Sequence, residues 1–159
     1  MAERNNPPRK DPYNAYNFIV EIQGITSAGF RECTGLDSAQ DPIEYREGNE
    51  AFLTVRKLPG LVKYSNVSLK WGLTDDHALW DWRTSAVEGN LQRKEVSIYL
   101  VDDQGNRKMH WILSNAWPTK WTGASFNATA NEVAIETLEI AHEGVRLDAN
   151  LAAAGGGRS

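Results

Sequence analysis

The feature that most limits what this chain can become is a side-chain alternation of period two, broken repeatedly by turn residues. In Asn17 to Ile22, the residues Phe18, Val20 and Ile22 fall on one face. Ile43 and Tyr45 alternate with Glu44 and Arg46. Val67, Leu69 and Trp71 alternate with Ser68 and Lys70. Val96, Ile98 and Leu100 alternate with Ser97 and Tyr99. A β-strand sends successive side chains to opposite faces, so each run predicts a strand with one apolar side. Asp102-Asp103-Gln104-Gly105-Asn106 predicts a hairpin turn, because Gly105 and Asn106 accept positive φ at little cost. Arg107 to Ser114 is the expected return strand. Val133 to Ile140 is expected as a last strand, with an apolar phase that slips from Val133 and Ile135 to Leu138 and Ile140. The slip requires either a bulge near Thr137 or cover on both faces.

One segment has a different period. Thr74 to Gly89 places Leu79, Trp82 and Ala86 on one helical face. Thr74 or Asp75 is the expected cap, acidic residues crowd the first turn, and Gly89 is the expected stop. The predicted fold class is therefore mainly β: an antiparallel β-barrel or sandwich with one flanking α-helix. At 159 residues the chain is sized for one core rather than two. The expected divisions are an N-terminal arm over 1–12, a folded domain over 13–147 and an Ala/Gly-rich tail over 148–159. No internal repeat stands out. Glu47 to Pro59 and Trp117 to Asn131 read as long connections, a length that often accompanies function.

Charge and composition remove several functions. With 17 basic and 21 acidic side chains the net charge is −4, which argues against a strongly basic nucleic-acid binder. The single cysteine, Cys33, cannot form an internal disulfide or a cysteine-based zinc site. There is no apolar run of about 18 residues to serve as a membrane anchor, and the first residues do not read as a secretion signal. No nucleophile elbow, phosphate loop or dinucleotide motif is present. His77, His110 and His142 have no metal-ligand spacing. The expectation is thus a non-enzyme with no catalytic residues, no metal and no cofactor. The six tryptophans admit two readings: core and interface anchors, or a stacking platform on Trp117 and Trp121 as in a monomeric carbohydrate-binding β-sandwich. The absence of a regular exposed spacing favours the first.

Seven phrases in order carry a family resemblance: Ala28-Gly29-Phe30-Arg31-Glu32-Cys33-Thr34-Gly35-Leu36, Ile43-Glu44-Tyr45-Arg46-Glu47-Gly48, Arg56-Lys57-Leu58-Pro59-Gly60, Leu69-Lys70-Trp71-Gly72, Leu79-Trp80-Asp81-Trp82, Asn115 to Trp121, and Asn131 to Gly144. Over about residues 11–147 the chain resembles the tail tube proteins of contractile phage tails and phage-like contractile injection systems. The resemblance implies a structural subunit of a rigid inner tube. Hexameric rings stack, the lumen carries a protein effector or phage DNA, and sheath contraction drives the tube into a target. The implied partners are further copies of the chain, a sheath protein, a baseplate hub or spike, and a tube cap or tape-measure protein. Assembly in the cytoplasm into a virion or injection particle is implied, with release from the cell as a further step. A tube-initiating paralogue on the baseplate is the near alternative.

The same resemblance implies roles for particular residues. Inter-ring contacts would use Arg9 and Tyr13 of the arm and Glu47, Asn49, Phe52, Leu53, Arg56 and Lys57 of the long connection. Strands near 28–34, 39–46, 91–101 and 106–114 would build the lumen wall, with Glu44, Arg46, Ser97 and Lys108 facing the lumen. Ile43, Tyr45, Val96, Ile98 and Leu100 would pack inward. The helix would lie outside, presenting Asp76, Trp80 and Arg83 to the sheath or a neighbouring subunit.

Overall fold

Nine strands and one helix make up the described part of the chain. The computed structural model describes residues 12–14, 17–25, 29–45, 56–129 and 131–151. The order is β1 (Phe18–Ile22), β2 (Glu32–Thr34), β3 (Ser38–Tyr45), β4 (Arg56–Tyr64), β5 (Val67–Gly72), α1 (Ala78–Val87), β6 (Lys94–Val101), β7 (Arg107–Thr122), β8 (Ile135–Ala141) and β9 (Val145–Asp148). The expected architecture, antiparallel β with one helix, is the one found.

The strands run β1-β6-β7-β8-β5-β2, with β9 also on β7 and every pairing antiparallel. The long strand β7 serves two sheets. Residues 107–113 pair with β6 and β9, whereas 117–122 pair with β8. The change of direction falls at Asn115, whose φ is 50°, a value Asn tolerates better than most residues. Its side-chain amide donates to Glu143 at 2.7 Å, and Arg93 donates to the same carboxylate at 3.2 Å. The bend folds the strand path into two facing layers. Val20, Ile22, Val96, Ile98 and Leu113 of one layer join Val67, Leu69, Trp71, Leu138 and Ile140 of the other in a single core.

Two expectations need correction, and a third is decided between its alternatives. Trp117 to Thr122, read as the start of a loop, continues β7. Pro118 is compatible with a strand there because this half of β7 pairs only with β8, and an edge strand can do without one N–H. Arg56 to Tyr64, whose first residues were read as loop, forms β4. No bulge is needed near Thr137, since β8 pairs with β5 in unbroken register; no residue of β8 is exposed, so both faces are covered, and Val133 lies before the strand. His110 Nδ1 donates to the Asn150 carbonyl at 2.6 Å, fixing the chain after β9 to β7.

The helix begins later than expected. Asp76, rather than Thr74 or Asp75, accepts from the first helical N–H, that of Ala78, at 3.0 Å. Gly89 ends it with φ 84°. Leu79 and Trp82 are buried against the core as anticipated. The Trp82 indole donates to the Gln92 carbonyl at 2.8 Å, which supplies the partner a buried N–H needs.

Candidate assembly surfaces

Strands β3 and β4 stand apart from the sandwich. They pair with each other from Ser38↔Tyr64 to Tyr45↔Arg56 and form a separate two-stranded sheet. The ribbon grows from the β2/β5 edge, because β2 leads into β3 and β4 into β5. At the root Gly35, with φ 99°, passes so close to the Asn66 carbonyl that any side chain would strike it. The Asp37 carbonyl accepts from the Ser65 N–H. His142 Nε2 donates to the Ser65 carbonyl at 2.9 Å, and its ring lies against Tyr64.

Every residue of β3 is exposed, and so is every residue of β4 but one. On a strand the apolar side chains would ordinarily find a partner face. Here Ile43 pairs with Leu58, and Tyr45 shares their face; a register shift between Gln40 and Pro42 turns Val62 and Tyr64 to the other face. Ile43 is 55% exposed and Val62 49%. The expectation that Ile43 and Tyr45 pack inward is therefore wrong for the single chain: the sandwich does not reach them. Apolar side chains exposed on both faces of a ribbon in this way mark an interaction surface.

A second surface opens where the strand path ends. β1 and β2 are the two ends of the path and do not pair with each other. Between them lies an open cavity of about 380 Å³, walled by Phe18, Leu36, Ile98, Leu100 and Trp111. Cys33 lines it too, and burial pushes its thiol up to about 11. A thiol held neutral this way is a packing group, not a nucleophile.

The far face of the β1-β6-β7 layer is closed. Tyr99 is fully buried, stacked on His110 with ring centres 4.1 Å apart and covered by the Arg107 guanidinium. Arg107 in turn donates to Glu21 at 2.9 Å. Burial, and then the Glu21 charge, hold the Tyr99 phenol above its usual range.

The remaining anticipated residues fall in several places. Tyr13, Arg56 and Lys57 are exposed. Glu44 is exposed opposite Lys57 on the ribbon, and Lys108 reaches Asp102 at 3.7 Å. Ser97 is buried in the single chain. The strands expected to form one lumen wall lie in the β2/β5 edge, the ribbon and the β6-β7 layer, so no single sheet of one chain unites them. Arg9, Arg46, Glu47, Asn49, Phe52 and Leu53 lie outside the described residues. On the helix, Asp76 and Trp80 are exposed, but Arg83 turns inward to donate to the Pro118 carbonyl at 3.2 Å. Trp80 meets Trp121 edge-on, and Trp121 meets Trp71 in the same way. Trp121 and Trp117 are half-buried, so the tryptophans are packing anchors rather than an open platform. Among the described residues no helix is long and apolar enough to cross a membrane, and no cluster of metal-ligating side chains occurs.

Among the described residues the ribbon's apolar side chains stay exposed, and comparison with known proteins gives the family in which such a ribbon occurs. Residues 14–146 match the family of the T4-like virus tail tube protein gp19. The chain belongs to that family. Among solved structures, this tail tube family member resembles a chain of the PVC sheath-tube complex, an extracellular contractile injection system in its extended state. The identity is 33% over 87% of this chain and 93% of that one, with a TM-score of 0.77. It resembles a chain of the anti-feeding prophage tube terminating cap at 31% identity, 93% and 99% coverage and a TM-score of 0.79. Hcp1 from Flavobacterium johnsoniae shares the fold at 13% identity, 84% and 95% coverage and a TM-score of 0.51. The search of curated proteins gave no match. The tail tube protein is thus a structural component of a phage-like contractile particle, and its family and neighbours are structural proteins, not enzymes.

Proposed function

We propose that this chain is the repeating subunit of a rigid inner tube. Hexameric rings stack, the lumen carries cargo, and contraction of a surrounding sheath drives the tube into a target. The observation that carries the proposal is the match to the tail tube family over residues 14–146, joined to a β3–β4 ribbon whose apolar side chains are exposed among the described residues. Likeness to a chain of a sheath-tube complex supports a sheath as the outer partner. Two surfaces that differ, an arm and an open strand edge, suit a head-to-tail contact, which closes into rings or continues as a filament. Assembly takes place in the cytoplasm on a baseplate, and the finished tube belongs to a virion or an injection particle.

A second reading places the chain at one end of the tube. The likeness to a tube terminating cap, at 31% identity over nearly all of that chain, supports it. Polymerisation separates the two. A main tube subunit grows tubes of many rings in the presence of sheath and baseplate. An end protein adds one ring and stops.

A further inference from the structure

His142, Glu143 and Gly144 join β8 to β9, and they touch both the root of the ribbon and the bend in β7. We propose that this corner is a clamp that fixes the direction in which the β3–β4 ribbon leaves the sandwich, with His142 as its positioning residue. The clamp acts within one chain; only its consequence for assembly rests on the tube reading above.

The ribbon needs a holding contact at its root. It makes no extended contact with the helix or with any strand of the sandwich among the described residues, so its direction is decided where it is attached. Residues 35–37 join it to β2, and Ser65 and Asn66 join it to β5. Gly35 is left-handed, with φ 99°. The Ser65 N–H donates across to the Asp37 carbonyl at 3.2 Å. Links this short at the end of an element are where a rigid piece swings, unless further contacts hold it.

The corner supplies those contacts. The β5–β8 register reaches Val67↔Ile140, and continuing it brings Ser65 opposite His142. His142 Nε2 lies 2.9 Å from the Ser65 carbonyl. A carbonyl only accepts, so Nε2 carries the proton and Nδ1 is bare. Nδ1 is enclosed, with no hydrogen-bond partner among the described residues. The imidazole is thus oriented by one donated bond and by Tyr64, the last residue of β4, whose ring centre is 5.6 Å away. Gly144 lies against the same ring, where an added β-carbon would meet it at 3.8 Å.

The other side of the corner is pinned to the bend. The Glu143 N–H donates to the Ser114 carbonyl at 2.9 Å, and the Gly144 carbonyl accepts from the Ser114 N–H at 3.0 Å. The Glu143 carboxylate accepts from Asn115, the residue of positive φ, and from Arg93. A shift of the bend therefore carries the corner with it, and a shift of the corner strains the bond from His142 to the ribbon root. One short segment sets both the fold of the two layers and the direction of the ribbon. A ribbon whose direction is fixed beforehand gives up less freedom on entering an assembly.

The test is the spread of spin–spin distances in the unassembled full chain. Labels sit at Lys57→Cys on the ribbon and Asn90→Cys after the helix, with Cys33→Ala removing the native thiol. The parent pair should give one narrow distribution. His142→Phe keeps a ring and removes the donor, and should widen the distribution at least about twofold. His142→Gln returns an N–H near the Nε2 position and should restore most of the narrowness. Glu143→Ala, whose lost bonds go to Asn115 and Arg93 rather than to the ribbon, should widen it as well. A broad parent distribution, or an unchanged width in His142→Phe, overturns the clamp. An unchanged width in Glu143→Ala overturns the link to the bend, and failure of His142→Gln to restore the parent overturns the hydrogen bond as the cause. Nitrogen NMR of the unaltered chain at pH 8 reads the same bond without a substitution: His142 protonated on Nε2 is expected, and the Nδ1-protonated form overturns it. In tube growth, His142→Phe should raise the required protein concentration several-fold, and an unchanged value overturns the consequence for assembly. A chain that never forms tubes overturns the tube reading and leaves the clamp to be decided by the distances.

Discussion

Leu58 and Leu69 are the same residue, both on strands of one continuous chain reversal, and their surroundings are opposite. Leu69 is completely buried between two sheets, with Leu138 across from it on β8. Leu58 is 44% exposed on a ribbon with no second layer. The sandwich satisfies itself: its apolar positions have a facing sheet, its tryptophan indole has a carbonyl, and its bend at Asn115 has a carboxylate. The ribbon satisfies its backbone by pairing but leaves most of its apolar side chains exposed among the described residues. The lesson is that one stretch, 32–72, holds both a folding unit and an assembly unit, and that identical residue types serve different ends on either side of Ser65.

Replacing each leucine by alanine separates the two roles most strongly. Leu69→Ala should cost about 2–5 kcal/mol of folding stability, the range for emptying a buried leucine site. Leu58→Ala should change the stability of the unassembled chain by about 0.5 kcal/mol or less yet sharply reduce assembly, read by sedimentation. Equal effects of the two changes on folding would break the comparison. Trp82→Phe tests how firmly the helix is docked. It leaves the Gln92 carbonyl without its indole partner, so a loss of about 1–3 kcal/mol is expected by denaturant titration, with assembly of the folded fraction kept. A fully retained stability would show that the helix is held by apolar packing alone.

The thiol at the open cavity gives a smaller, pH-dependent effect. Burial raises Cys33 from 9.0 to about 11. The folded chain therefore holds a proton that the unfolded chain gives up first, and the associated stability is present below pH 9 and falls as the pH rises from 9 towards 11. At pH 8 a thiol reagent should label the folded chain about a hundredfold more slowly than the unfolded one, since the thiolate is the reactive form. Rapid labelling of the folded chain would mean that the cavity admits solvent more freely than the burial of the thiol implies.

Much of the body was legible in the sequence, and the reasons are physical. Where one face of a strand is more deeply buried than the other, period two is forced on the sequence, as in Val67, Leu69 and Trp71. The helix was legible because Leu79 and Trp82 recur at helical spacing. The ribbon was only half legible. Ile43 and Tyr45 alternate, but β4 reads Arg56-Lys57-Leu58-Pro59-Gly60-Leu61, with a proline and a glycine that ordinarily mark loops. Pro59 faces Pro42 in a two-stranded ribbon whose outer edges need no N–H in this chain, and Gly60 is required because a side chain there would strike the Asp41 carbonyl. The second half of β7 was hidden by Pro118 in the same way. Inward packing of Ile43 and Tyr45 was misjudged because alternation reports that a face is apolar and does not say which chain covers it. The burial of Ser97 and the bond from Arg83 to a backbone carbonyl were not legible, because alternation and helical spacing do not show what a polar side chain meets.

The measurement that bears most directly on the account is electron microscopy of the purified full chain, alone and with its sheath and baseplate proteins. Hollow tubes of constant width, built from stacked sixfold rings, are the predicted result. A strict monomer over a wide concentration range that also fails to polymerise on the baseplate or beside the sheath would contradict it.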